Sequence, residues 1–106
     1  MNRKEEIIRE ILGWKKHTKN SWYNVEKDEF IHDSYFMPEK YLEHALVIVE
    51  KLKMFGVNYQ TNGTSEVKFD DVTGRGETLP EAIINAAYYL ILKFYSQFEN
   101  TNYNQI

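Results

Sequence analysis

Val57-Asn-Tyr-Gln-Thr-Asn-Gly-Thr-Ser-Glu-Val-Lys-Phe-Asp70 is the stretch that decides the fold class. Val57 to Thr61 alternates apolar and polar residues. Glu66 to Asp70 alternates again, with Val67 and Phe69 on one face and Glu66, Lys68 and Asp70 on the other. Asn62-Gly63 lies between them and is a hairpin signal, because a type I′ turn needs positive φ at both central residues. Together these features predict an antiparallel hairpin. A hairpin alone is marginal in water, so it needs a third strand and a helix over its apolar face. The Ser21–Val25 stretch, with Trp22, Tyr23 and Val25, is the expected third strand.

The expected helix follows in Glu77-Thr-Leu-Pro-Glu-Ala-Ile-Ile-Asn-Ala-Ala-Tyr-Tyr-Leu-Ile-Leu-Lys-Phe-Tyr-Ser96, the most apolar run in the chain. Thr78 and Glu81 have capping-box spacing, and Pro80 suits a first turn. Leu79, Ile83, Ala86, Ala87, Leu90, Ile91 and Phe94 form one face, and Ala86-Ala87 allows close approach of a neighbour. Ile84, Tyr88, Leu92 and Tyr95 form a second face that one small sheet does not cover. Either other helices lie on that side, or the face is an oligomer interface. The second alternative implies a homo-oligomer, a dimer or larger.

Upstream, Asn2 caps a run in which Ile7, Ile8, Ile11 and Leu12 recur at helical spacing before Gly13, which predicts a helix over residues 3–12. Phe30–Met37 is expected as an irregular aromatic loop folded onto the body. Pro38 opens a second helix, with Tyr41, Leu42, Ala45, Leu46, Val49 and Leu52 as its apolar stripe and Gly56 as its stop. Asp71-Val-Thr-Gly-Arg-Gly-Glu77 is expected as a turn-rich connection. The expected order is helix, strand, helix, strand, strand, helix. This is one small α+β domain over residues 1–98, with a short, mainly antiparallel three-stranded sheet packed with helices. Residues 99–106 are expected as a flexible tail.

Composition narrows the function classes. The 106 residues carry a net charge of −3, so no global basic field attracts nucleic acid. Cysteine is absent, which excludes disulfides and thiolate metal sites. Charges at Arg3, Lys4, Glu5 and Glu6 occupy the place where a signal peptide needs its apolar region. No apolar run approaches the ~20 residues that span a bilayer. The expectation is a cytoplasmic protein with no membrane partner.

Few residues suggest chemistry. His17, His32 and His44 are scattered without zinc-site spacing. His32-Asp33-Ser34 has triad residue types, but triad members converge from separate parts of a fold. Glu66, Asp70 and Asp71 fall short of a calcium loop. Gly74-Arg75-Gly76 ahead of a helix suggests an anion site, with Arg75 forking onto phosphate, but Glu77 and Glu81 would repel the anion. Trp14, Lys15, Lys16, His17, Lys19, Trp22 and Tyr23 form the one locally basic, aromatic-rich patch. Such residues stack bases and meet phosphates, and the two tryptophans equally suit a core. Trp14, Lys15, Lys16, Trp22, Tyr23 and Arg75 are therefore the candidate ligand residues. No catalytic residue, metal or cofactor is expected.

Ile11-Leu-Gly-Trp-Lys15, Trp22, Ala45-Leu-Val-Ile-Val-Glu-Lys-Leu52, Thr78-Leu-Pro-Glu-Ala-Ile83 and Ala86-Ala87 occur in an order that resembles the phage α/β/α-sandwich domain family. Phe36-Met37-Pro38 and Asn85 depart from its pattern. The resemblance covers about residues 5–92. It implies a phage-borne accessory protein in a bacterial cytoplasm and carries over no catalytic residue. The leading expectation is a non-catalytic, oligomeric binder that sequesters a small anionic host ligand such as a nucleotide signal. The alternative is a protein–protein interaction module that modulates a host protein, and an enzyme ranks last.

Overall fold

The computed structural model describes residues 2–104, with side chains through Ser96. Helix α1 (Arg3–Ile7) starts as expected, with the Asn2 side chain accepting the Glu5 N–H at 2.8 Å. It runs directly into a π-helical turn, Ile8–Leu12, which Gly13 ends in the left-handed conformation at φ 73. Ile7, Ile8, Ile11 and Leu12 are all buried.

The expected single sheet is two. Strands β1 (Lys15–Thr18), β2 (Ser21–Asn24) and β3 (Glu29–His32) form one antiparallel sheet in that order, and a 3-10 turn, Asp33–Tyr35, follows it. Strands β4 (Tyr59–Asn62), β5 (Glu66–Phe69) and β6 (Val72–Arg75) form the second. The hairpin is therefore present, but the Trp22 strand belongs to the other sheet. The hairpin's third strand is β6, in the stretch expected as a connection. Its Gly74, which resembles a turn residue in the sequence, is a site of close approach. A Cβ there would lie 2.2 Å from the Ala86 backbone nitrogen. The Asn62-Gly63 turn also differs from expectation. Asn62 pairs with Glu66, leaving a three-residue loop in which Gly63 alone has positive φ.

Two further expectations are corrected. Phe30 lies on β3 and is 63% exposed, and Tyr35 is 78% exposed, so of this stretch mainly Phe36 is buried. Phe36 packs on Trp14 with ring centroids 4.9 Å apart. Helix α2 (Leu42–Met54) begins four residues after Pro38, which is itself buried in a preceding turn. The His44 Nδ1 accepts the Met37 N–H at 2.9 Å and holds that turn against the helix. The buried face of α2 is Ala45, Ile48, Val49 and Leu52, while Tyr41, Leu42, Leu46 and Val47 stay half exposed.

Helix α3 (Leu79–Asn104) is the central element. One side lies on the second sheet, where Val67 and Phe69 are fully buried; α1 and α2 also pack on α3, and the π-helical turn packs on α2. Each fully buried Val, Ile or Phe side chain contributes about 1.5–3 kcal/mol. The backbone of the expected tail is helical as far as Asn104; residues 105–106 and all side chains beyond Ser96 lie outside the described residues.

Candidate functional site

Strand register divides the basic, aromatic patch between two faces of the first sheet. Lys15 pairs with Tyr23, and Tyr23 pairs with Phe30, so these three residues share a face. Ser21 and His32 are a pair on the same face. Lys16, Trp22 and Ile31 are paired on the opposite face.

The inward face is core. Trp22 is fully buried, and its indole N–H donates to Asp33 Oδ1 at 2.9 Å. The Lys16 ammonium stands 4.4 Å from the Trp22 ring centroid. Asp33 also pairs with Lys4 at 3.4 Å. Burial pushes the Asp33 carboxyl up, but the Trp22 donor and Lys4 outweigh it and hold the group below its ordinary value. Trp14 is likewise buried. Trp22 leaves no ring face free for a ligand, and Trp14 keeps only a 9% exposed edge, at a cleft beside α2.

The outward face carries exposed rings. His17 stacks on Phe30 at 4.5 Å, and Tyr23 lies on Phe30 at 4.9 Å. Lys15 and His17 are exposed beside them. The Tyr23 hydroxyl donates to Asp28 Oδ1 at 2.6 Å, and that bond raises its pKa, so the phenol stays neutral and its ring is tethered. His32 and Tyr35 extend the aromatic surface at its edge, 6.0 Å apart. The structure thus joins Lys15 and Tyr23 to His17 and Phe30. Phe30 carries no signal in the sequence, because Glu29-Phe-Ile-His32 has two adjacent apolar residues and no clear alternation.

Arg75 stands apart on β6, with its Nε 3.0 Å from Glu66. The helix start beside it is occupied by the chain's own groups. The Glu77 N–H donates to Glu81 Oε2 at 2.9 Å, and the Glu81 N–H donates to Thr78 Oγ1 at 3.3 Å. Gly76 has a packing role, since a Cβ there would lie 2.6 Å from the Glu81 Cβ. The space an anion would take is filled by a carboxylate.

The other candidate clusters also have structural partners. His32 Nδ1 meets Ser34 Oγ at 2.8 Å, while the Asp33 carboxylate is directed to Trp22 and Lys4, so the three do not form a relay. Glu66 pairs with Arg75, Asp71 with Lys93, and Asp70 accepts the Asn58 N–H. Among the described residues no group of three or more His, Asp or Glu side chains is placed to hold a metal ion.

The second face of α3 is covered from within the chain at its start and exposed further along. Ile84 is buried, and the Arg3 guanidinium stands 4.9 Å from the Tyr88 ring and bonds Asn85. Tyr95 lies beside Glu10, whose carboxylate accepts from its hydroxyl and pushes its pKa up to about 12. Leu92 remains 46% exposed, and Phe94, Tyr95 and the α2-terminal Phe55 line an apolar slot of 390 Å³. Of the two alternatives for this face, a helix on the second side accounts for Ile84 and Tyr88, while Leu92 and Tyr95 stay exposed.

Among the described residues no helix is long and apolar enough to cross a membrane. No curated protein and no solved structure matches the chain. The sequence model of the phage ABA sandwich domain matches residues 6–88, which span the end of α1, the π-helical turn, both sheets, α2 and the start of α3. The chain belongs to the phage ABA sandwich domain family.

Proposed function

We propose that this chain is a non-catalytic phage accessory protein that captures a small anionic, base-bearing ligand of nucleotide type. The observation that carries the reading is the His17–Phe30–Tyr23 ring cluster on an uncovered sheet face, with Lys15 in register beside Tyr23. Aromatic faces stack any base, at about 1–3 kcal/mol per base, and a lysine meets phosphate as a point charge. A free nucleotide suits the face better than a long nucleic acid, because the chain's net charge of −3 supplies no extended basic track. His32 caps a turn, His44 holds another, and Asp33 is in an ion pair, which supports binding rather than chemistry at these residues. Such a ligand would be met in the cytoplasm of a bacterial host.

Self-association belongs to the same proposal. Its surface is the exposed part of α3, Leu92 and Tyr95 with Phe94, since Ile84 is buried and Tyr88 lies against Arg3. Light scattering is expected to give a multiple of 12.7 kDa, and a strict monomer overturns this part.

Calorimetric titration of the full chain with cyclic and linear mono- and dinucleotides tests the ligand reading. Saturable heat is expected with at least one of them. Phe30→Ala should weaken that binding about 5- to 150-fold, the equivalent of the lost stack. No heat with any nucleotide overturns the reading, and the host-protein alternative then stands first.

A further inference from the structure

The inward face of the first sheet does not close completely onto α2. Between them lies a cleft of 520 Å³. Trp14, Ile31, Val47 and Met54 line its apolar interior, and Glu29, Glu43 and Glu50 stand along it. Met54 is 74% exposed and Val47 43% exposed, which is much apolar surface for a small domain to leave in water. Two lysines also line the cleft: Lys51 is paired with Glu26, and Lys27, in the turn between β2 and β3, is one base against the three glutamates. Glu29 and Glu43 have no ion-pair partner among the described residues, and Glu50 has only the distant Lys53 at 3.6 Å. The cleft is therefore apolar inside and negative along its edges.

We infer that this cleft docks a cationic amphipathic helix from another protein. The length fits, because Glu43 to Met54 on α2 covers about 16 Å, or three helical turns. A docked helix would place its i, i+3/i+4 and i+7 apolar anchors on Val47, Ile31 and Trp14, with its lysines or arginines against Glu29, Glu43 and Glu50. A second copy of this chain does not supply such a helix. Arg3 and Lys4 of α1 are offset by Glu5 and Glu6. α2 is itself a wall of the cleft, and the described side chains of α3 carry one base, Lys93, and one acid, Glu81. The basic face of the first sheet is flat and cannot enter a cleft. This surface is separate from the outward ring cluster, so the inference stands or falls independently of the nucleotide reading.

The test titrates the full chain with a synthetic Leu/Lys amphipathic peptide of about five turns, following Trp14 emission; Trp22 is buried and gives a constant background. A Leu/Glu peptide of the same pattern is the control. One-to-one, salt-sensitive binding of the Leu/Lys peptide is expected, with the Leu/Glu peptide at least about tenfold weaker. The double variant Glu29→Lys/Glu43→Lys should lose about tenfold for the Leu/Lys peptide and gain for the Leu/Glu peptide, while its melting curve stays close to that of the parent. The milder Glu29→Gln/Glu43→Gln pair should show a smaller loss in the same direction. Equal binding of both peptides, or binding of the Leu/Lys peptide unchanged by charge reversal, overturns the inference. So does failure of the Leu/Lys peptide to bind the parent chain.

Discussion

Replacing Gly74 by alanine is the sharpest probe of how this fold is assembled. Gly74 lies in β6 where α3 crosses it, and a Cβ would meet the Ala86 nitrogen at 2.2 Å, its Cα at 2.5 Å and its Cβ at 2.7 Å. Comfortable carbon–carbon separations begin near ~3.5 Å, so the helix or the strand must retreat by roughly an ångström. Two of the three obstacles are backbone atoms, and no rotamer change relieves them. Overpacking costs typically 1–3 kcal/mol, and a backbone clash belongs at the top of that range, about 3 kcal/mol. At ~4 °C per kcal/mol this lowers Tm by about 12 °C, readable by circular dichroism. Gly13→Ala is the control: it has open space around it but sits at φ 73, so it should cost only about 1–2 kcal/mol of left-handed strain. Ala86→Gly should not rescue Gly74→Ala, because the clashes with the backbone nitrogen and α-carbon of residue 86 remain. A Gly74→Ala chain that melts within about 2 °C of the parent would refute the seating of α3 on β6.

Two further expectations follow from the same geometry. Asp33→Ala leaves the buried Trp22 N–H without its acceptor and should cost about 1–3 kcal/mol, whereas Asp33→Asn keeps an acceptor and should cost less; urea unfolding separates them. The Asp33 pKa lies below its unfolded value, so its contribution is present above that value and is lost as pH falls through the folded one; Asp33→Asn should therefore flatten the acid limb of a stability–pH profile. Tyr95 has a folded pKa raised to about 12, so its contribution is complete below the ordinary tyrosine value near ~10 and disappears as pH rises toward the folded one. Tyr23 and Tyr59 also have raised pKa values, and an ultraviolet titration should lose a late phenol at about 12 in Tyr95→Phe; an unchanged curve in that variant would contradict the Glu10 contact.

The sequence is legible wherever a residue pattern has one physical cause. The β4–β5 hairpin, the Asn2 cap and the Thr78 cap are single-cause signals, and each forms, although the Glu81 carboxylate accepts from the Glu77 N–H rather than that of Thr78. β6 is hidden because Gly74 reads as a turn residue when its reason is Ala86, a partner twelve positions away. β1 is hidden because all four of its residues face water as an edge strand, so no alternation marks it. The apolar surface of α2 is broader than one buried stripe. That is why Ile48 falls outside the expected stripe and why Leu46, Val47 and Met54 are left along the cleft. The candidate patch is half legible. Aromatic and basic residues in one stretch do suggest a binding surface, but strand register alone decides that Trp22 turns in while Tyr23 turns out. Phe30 joins them from β3, beyond the reach of any local pattern.

The central claim is that the outward face of the first sheet receives a ligand. Backbone amide chemical-shift mapping of the labelled chain, titrated with the nucleotide that gives calorimetric heat, tests it most directly. Perturbations should concentrate on Lys15, His17, Tyr23 and Phe30 and their strand neighbours, and should vanish in Phe30→Ala. Shifts centred instead on Arg75 and the start of α3, or on the cleft lined by Val47 and Met54, would contradict it.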